Sequence, residues 1–348
     1  MKLFIIHPLD DSVLNAMKNS TKSKVKKIVC NLPFVRQLVA YKTRHLPRIF
    51  MYHRFSAEHC GPGASLSVEN FEWQLKRLRG KWNVISLAEY VQLRRQNRKI
   101  PPYTVILTID DGYLDFYDLA FPLLQKYNFP ATFFVTTAFI DGAFWLWHDR
   151  LHYAVEHTEI TDVEISLGKK KVTLHTTTVS ERSETWLLLS DYCVDAIDDD
   201  KWKLIASVEE ILQVAIPEKP TDDFAAASWV QLKEMAGNSI EIGGHSMTHP
   251  ILSQVDPETL QNELVNSKDI ISRNTGYEVS SFCYPNGRDA DVTPLVLKTV
   301  EDAGYLGAVQ GFSLDFSNRY RLPRLGISND RIDFLWKLNG FEQTFLKQ

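Results

Sequence analysis

The sequence predicts an α/β protein built on a mainly parallel sheet. Short β-branched or aromatic runs alternate with stretches of helical periodicity, the pattern left by strand-helix-strand units. Several of these apolar runs end abruptly in polar residues and a turn, and α/β folds place chemistry at the carboxyl ends of buried strands. Between about residues 143 and 226 the alternation breaks, which marks an inserted segment.

The 348 residues are 44% apolar and 24% charged with a net charge of −4, which suits a soluble globular chain and argues against long disorder. Four scattered cysteines (Cys30, Cys60, Cys193, Cys283) form no CxxC pair, so reduced thiols in a cytoplasmic setting are expected. The N-terminus lacks the long apolar core of a secretory signal. No run approaches the ~18 apolar residues of a membrane span.

Residues 1–47 read as a basic, partly helical segment, and 48–348 as the main domain. No acidic residue lies between Asp11 and Glu58, while Lys18, Lys22, Lys24, Lys26, Lys27, Arg36, Lys42 and Arg44 accumulate. Such a stretch suits peripheral contact with the inner face of a membrane. The favoured expectation is plainer, a helix packed on the main domain with a solvated basic face. Nucleic acid is not expected as a partner.

Pro47–Arg54 reads as a buried strand ending in Tyr52-His53. A helix over 67–79 with Ser67 as N-cap follows, then a strand near 82–86 and a helix over 87–96. The next strand, Val105–Ile109, runs into Asp110-Asp111-Gly112. Neighbouring side chains diverge at a strand end, so one carboxylate can ligate a cation while the other takes a proton. A helix over 117–127 and a strand over 131–135 precede the insertion, which reads as a hairpin around Gly168 and one helix over 183–214. Beyond it come helix 229–236, strand 239–242, helix 257–274 capped by Asp256, strand 280–284, helix 293–303, strand 307–309 and a closing strand-helix pair.

Two further strand ends carry polar motifs. His245 and His249, four apart in Gly-Gly-His-Ser-Met-Thr-His-Pro, can converge on one metal if the backbone turns, and a strand-end Asp would complete a His/His/Asp set. Tyr284-Pro285-Asn286-Gly287 fixes a turn that can present backbone N–H groups.

In this order, Thr108-Ile109-Asp110-Asp111-Gly112, His245-Ser246-Met247-Thr248-His249 and Tyr284-Pro285-Asn286-Gly287 resemble the motifs of the polysaccharide deacetylases, carbohydrate esterase family four. The likeness covers about residues 48–326 apart from the insertion. It implies a distorted (β/α) barrel with seven or fewer parallel strands, a divalent metal (most often Zn2+) and a glycan substrate. Position by position, it makes Asp111, His245 and His249 metal ligands, Asp110 the base, and the N–H of Tyr284 an oxyanion donor. The family's usual C-terminal leucine-x-histidine acid is missing, and no histidine follows His249. One branch resembles this chain in carrying an N-terminal Tyr-His strand end, which makes His53 the candidate acid and Tyr52 a supporting residue. His148 is the reserve, although a surface place on the insertion is the favoured reading for it. Leu322-Pro323-Arg324-Leu325 resembles a motif of the same branch, with Arg324 orienting Asp110 or pairing elsewhere. For Trp145, Trp147 and Trp229, a role in the insertion's own small core is favoured over sugar stacking. The expected activity is metal-dependent N-deacetylation of an amino sugar. The rivals are an amidase acting on a non-sugar amide and a non-catalytic glycan-binding protein.

Overall fold

A computed structural model describes residues 26–57, 65–142, 144–168, 170–311 and 315–345. Most of the basic N-terminal stretch, with Lys18, Lys22 and Lys24, lies outside these residues, as does Cys60. The three described cysteines are free and buried. Among the described residues no helix is long and apolar enough to cross a membrane.

The strands are β1 (Arg48–Tyr52), β2 (Phe55–Ser56), β3 (Leu66–Ser67), β4 (Asn83–Val84), β5 (Thr104–Ile109), β6 (Ala131–Val135), β7 (Asp162–Leu167) and β8 (Lys170–His175). The second half supplies β9 (Ile240–Gly244), β10 (Ser281–Cys283), β11 (Gly307–Gln310), β12 (Leu322–Pro323) and β13 (Leu325–Gly326). The main sheet runs β12-β11-β10-β9-β6-β5-β1-β13, with β4 also paired to β5, and its pairings are parallel. Its two ends meet in one stretch, 322–326, which pairs with β11 through Leu322 and Pro323 and with β1 through Leu325 and Gly326. The sheet is thereby a nearly closed, distorted (β/α) barrel. Its path holds eight strands rather than seven or fewer, because the closing stretch divides at Arg324.

Register explains where the polar strand ends meet. Tyr52 lies beside Ile109, and the N–H of Asp110 donates to the Tyr52 carbonyl at 3.0 Å. His53 and Asp110 therefore emerge side by side. Val135 pairs with Gly244, and the His245 N–H donates to the Val135 carbonyl at 3.0 Å. Every residue of β5 is buried, as a strand covered on both faces requires.

Helices on the outer wall follow the sequence cues. Ser67 caps Val68–Leu78, and Asp256 caps Pro257–Thr275 by accepting from the N–H groups of Glu258 and Thr259. The expected helix over 117–127 begins as a π-helical turn, Phe116–Ala120, before Phe121–Tyr127. The inserted segment has its own apolar core, including Trp147, Leu151, Leu174, Leu189, Ile205 and Val208. Its expected single helix over 183–214 is two, Val179–Asp195 and Asp198–Ile211. Three aspartates in the first turn of the second helix favour a new N-terminus there. A helix at Trp147–His157 was not foreseen. Trp147 lies in the insertion's core, whereas Trp145 is buried against Tyr153 and Phe224 and Trp229 packs on the barrel's core.

At the start of β1 the fully buried Arg48 donates to the carbonyls of Leu338, Thr43 and Leu46 and to the Thr43 hydroxyl. Burial pulls its pKa down to about 10, so it stays charged at neutral pH. It ties the helix Pro33–Lys42 and the helix Arg331–Leu338 to one end of the barrel. Arg48→Met should cost about 2–5 kcal/mol by stranding buried carbonyls. Urea unfolding of the variant, with an unchanged midpoint as the contrary outcome, checks this.

Candidate metal centre and active site

The ends of β1, β5 and β9 bring together the residues that the sequence marked. Asp111 Oδ1 lies 3.3 Å from His245 Nε2 and 3.6 Å from His249 Nε2, and all three side chains are buried. Their ligand atoms lie within 4.8 Å of one another. Three of the residues that shape this corner, Asp111, Ser246 and His249, have positive φ (77°, 64° and 56°). Each such non-glycine residue costs about 1–2 kcal/mol and persists only where its surroundings impose it. Gly112, at φ 112°, has no such cost, and a Cβ there would sit 2.7 Å from the Ile140 side chain.

What imposes the 245–249 loop is Glu263, on the helix Pro257–Thr275. Its carboxylate accepts from the N–H groups of Met247 and Thr248 and from the Thr248 hydroxyl, at 2.6, 3.0 and 2.7 Å. The His249 N–H donates to Ser246 Oγ at 3.0 Å. Sequence reasoning missed Glu263, since nothing about a carboxylate in mid-helix marks it as a loop anchor.

The donor set fits a divalent cation. His245 Nδ1 donates to the Cys283 carbonyl at 2.8 Å, so in the neutral ring the Nε2 lone pair faces Asp111. Burial would lower the His245 pKa, but Cys283 and the Asp111 carboxylate outweigh it and push it well above the ordinary histidine range. Burial and the neighbouring His245 hold His249 well below that range, so its ring is neutral and available as a ligand. A second grouping, Asp110 with His245 and Cys283, is already engaged. Its Asp110 is bound by Arg324 and by the Cys283 thiol.

Asp110 and Asp111 are adjacent and chemically distinct. Arg324, itself buried, donates to both Asp110 oxygens at 2.6 and 2.7 Å and to Thr108 Oγ1 at 3.1 Å. Burial alone would raise the Asp110 pKa, but the Arg324 charge and hydrogen bonds outweigh it and hold the carboxyl below its ordinary value. Of the two readings open for Arg324, the structure therefore shows the one that orients Asp110. His53 stands half-exposed at the pocket rim, its Nε2 3.7 Å from Asp110 Oδ2. The Tyr52 ring points into the core and its hydroxyl donates to Gln74, so Tyr52 supports the site through its carbonyl.

The structure places His148 in the wall of the site and not on the insertion's surface. Its ring lies 5.8 Å from that of His249, and its Nε2 is 3.0 Å from the Tyr113 hydroxyl. Tyr113 donates to Asp149 at 2.7 Å, and Arg54 stacks over the Tyr113 ring at 4.1 Å while binding Asp115 at 2.6 Å. Burial raises the Asp115 carboxyl to about 6 even against Arg54. A pocket of about 250 Å³ opens over Asp111, with His53, Arg54 and Tyr113 on the barrel side and His148, His152 and Trp186 on the insertion side.

The Tyr284-Pro285-Asn286-Gly287 turn is not part of this pocket's lining. The Tyr284 N–H donates to the Val309 carbonyl at 3.2 Å, continuing the ladder between β10 and β11, and its hydroxyl donates to Tyr320 O. In this geometry it is not free to receive an oxyanion. Asn286 and Gly287, with φ of 57° and 65°, turn the chain so that Gly287 O accepts from the Gly311 N–H.

Two outcomes follow from these contacts. Glu263→Ala should weaken divalent-cation binding by about tenfold or more, measured by calorimetry, because the loop loses its anchor. Arg324→Met removes the cation that lowers the Asp110 pKa and leaves the burial that raises it. The acid limb of a kcat/KM–pH profile should then move up by about one unit or more. An unmoved limb would detach Arg324 from the base.

The sequence profile of the polysaccharide deacetylase family matches residues 97–187 and 200–308, more than half of the chain, and crosses most of the inserted segment. The Bacillus subtilis protein YxkH, which carries the family's name, is 25% identical over 293 residues, covering 82% of this chain and 73% of its own length. The poly-beta-1,6-N-acetyl-D-glucosamine N-deacetylase of Escherichia coli K12 is 34% identical over 73 residues, 21% of this chain and 10% of that protein. Among solved structures, the Streptococcus pyogenes deacetylase PplD in complex with acetate shares the fold, with a TM-score of 0.55 at 18% identity over 86% of this chain and 98% of its own. With Asp110, Asp111, His245 and His249 converged at one end of a parallel barrel and the profile matched over more than half of its length, the chain belongs to the polysaccharide deacetylase family.

Proposed function

We propose that the protein is a Zn2+-dependent hydrolase that removes N-acetyl groups from amino-sugar residues of a glycan. The observation that carries this reading is the convergence of Asp111, His245 and His249 beside an ionised Asp110. Two imidazoles and one carboxylate leave coordination positions open and suit zinc. The family assignment sets a sugar deacetylase above a non-sugar amidase, and the intact base argues against a binding protein. An N-acetylglucosamine polymer, the substrate named for the Escherichia coli relative, is the model for the substrate class.

A cation held by Asp111, His245 and His249 would polarise the amide carbonyl and acidify a water molecule. Asp110 takes the proton as the water oxygen bonds to the carbonyl carbon. Its low pKa keeps it ionised across neutral pH at some cost in basicity, and Arg324 fixes both its oxygens in place. The C–N bond then breaks as His53 delivers a proton to the departing sugar amine, and acetate is the other product. Of the two candidate acids, His53 is favoured by its place beside Asp110. His148 Nε2 is committed to Tyr113, whose own proton goes to Asp149.

Acetate release from N-acetylated glucosamine oligomers tests the reading. Asp110→Asn and His53→Ala should each lower kcat by about 10²–10⁴-fold while Zn2+ still binds. Chelation should abolish release and added Zn2+ restore it. Full turnover in His53→Ala would transfer the acid role to His148, and full turnover in Asp110→Asn would remove the base. Zinc binding without acetate release from any acetylated sugar would overturn the proposal.

A further inference from the structure

Among the described residues, exposed large apolar side chains cluster in two places, the insertion and the helical region that precedes β1. Ile28, Leu32, Phe34, Leu38 and Tyr41 are 43–76% exposed. In the helix Pro33–Lys42, positions 34, 38 and 41 follow the i, i+4, i+7 spacing of one face. On its other side Ala40 is buried in the core, and the helical segment just before it is tied to the barrel wall, where Cys30 Sγ donates to the Ile332 carbonyl and Lys26 binds Asp333 at 2.7 Å. The region packs on the main domain with exposed basic residues, as the favoured expectation has it, but its exposed side also carries large apolar residues. Its packed side is anchored, and its outward side is apolar.

Cations border that outward side. Lys27 and Lys42 are exposed, and Arg44 lies 4.0 Å over the Tyr41 ring. No acidic residue occurs between residues 26 and 57. The insertion offers a contrast. Its exposed Leu187, Leu188, Tyr192 and Ile197 lie among Asp191, Asp195, Asp199 and Asp200, so an anionic partner suits the first face and not the second.

We propose that the Phe34–Leu38–Tyr41 face, rimmed by Lys27, Lys42 and Arg44, docks the protein on an anionic lipid surface. The apolar ridge enters the acyl boundary while the basic rim pairs with headgroup charge. An aromatic ring at each end of the ridge suits the level where hydrocarbon meets headgroups. Among the described residues, none from 26 to 45 lines the pocket over Asp111. The helix joins β1 at its Arg48 end, whereas the pocket lies at its Tyr52 end, roughly 15 Å further along at ~3.3 Å per residue. Docking on this face leaves the pocket open to a substrate arriving from water.

Vesicle co-sedimentation of the full chain is the test. The protein should partition onto phosphatidylcholine vesicles containing phosphatidylglycerol and far less onto phosphatidylcholine alone. Binding should weaken by about tenfold or more at high salt. Phe34→Ala/Leu38→Ala/Tyr41→Ala should lower partitioning by about tenfold or more, and Lys27→Gln/Lys42→Gln should remove the anionic preference. All five positions are exposed, so acetate release from a soluble substrate and the circular dichroism spectrum should stay unchanged. Absence of binding to anionic vesicles would overturn the proposal, as would binding that survives the apolar triple variant. A dimer in solution that the triple variant dissolves would overturn it in favour of a second copy of the chain.

Discussion

A guanidinium buried at the barrel seam faces a carboxylate buried at the end of β5, and most of the site is arranged around that pair. Arg324 is the residue at which the closing stretch changes partner, from β11 before it to β1 after it. Burying either charge alone is expensive, so each group requires the other. Because both Asp110 oxygens are held, its carboxylate plane is fixed. The same contact thus ties the closing stretch to the end of β5 and keeps Asp110 ionised.

The pair also separates the roles of two adjacent aspartates. Asp110 turns toward the seam and its cation. Asp111, one residue on with φ 77°, turns toward the histidines. A regular strand would send the two side chains to opposite faces and no further. The left-handed residue and Gly112 bend the chain so that the second carboxylate reaches the β9 loop. From there the chain returns under the insertion's exit, where Ala227 N–H donates to the Gly112 carbonyl at 2.9 Å.

Much of this was legible in the sequence because it follows from local pattern. Buried parallel strands announce themselves as apolar β-branched runs, and β6 was read to the residue. The convergence of Asp110, Asp111, His245 and His249 was legible because they lie in short motifs at strand ends. Contacts made across the fold by ordinary residue types were not. Glu263 is one of many helical glutamates, Tyr113 follows a turn glycine like any aromatic, and Trp186 sits in an amphipathic helix. The break at residues 196–197 was missed because apolar residues continue on both sides of it. Tyr284 shows the converse error: a motif was read as chemistry where its N–H continues a ladder.

The insertion bears on what the site can select. The barrel alone supplies Asp111, His245 and His249, together with Asp110, Arg324 and His53, so the proposed chemistry rests on residues outside the insertion. The wall opposite His53 is different, since His148, His152 and Trp186 all come from the insertion. Trp186 Nε1 donates to the His148 carbonyl at 3.1 Å, joining the helices Trp147–His157 and Val179–Asp195 where they face the pocket. His148 in turn meets Tyr113, a residue of the barrel's own turn. Shape and candidate chemistry are therefore carried by different parts of the chain, and Tyr113 is one of the contacts that join them at the pocket. Changes in the inserted helices can reshape this wall of the pocket without disturbing Asp110 and Asp111.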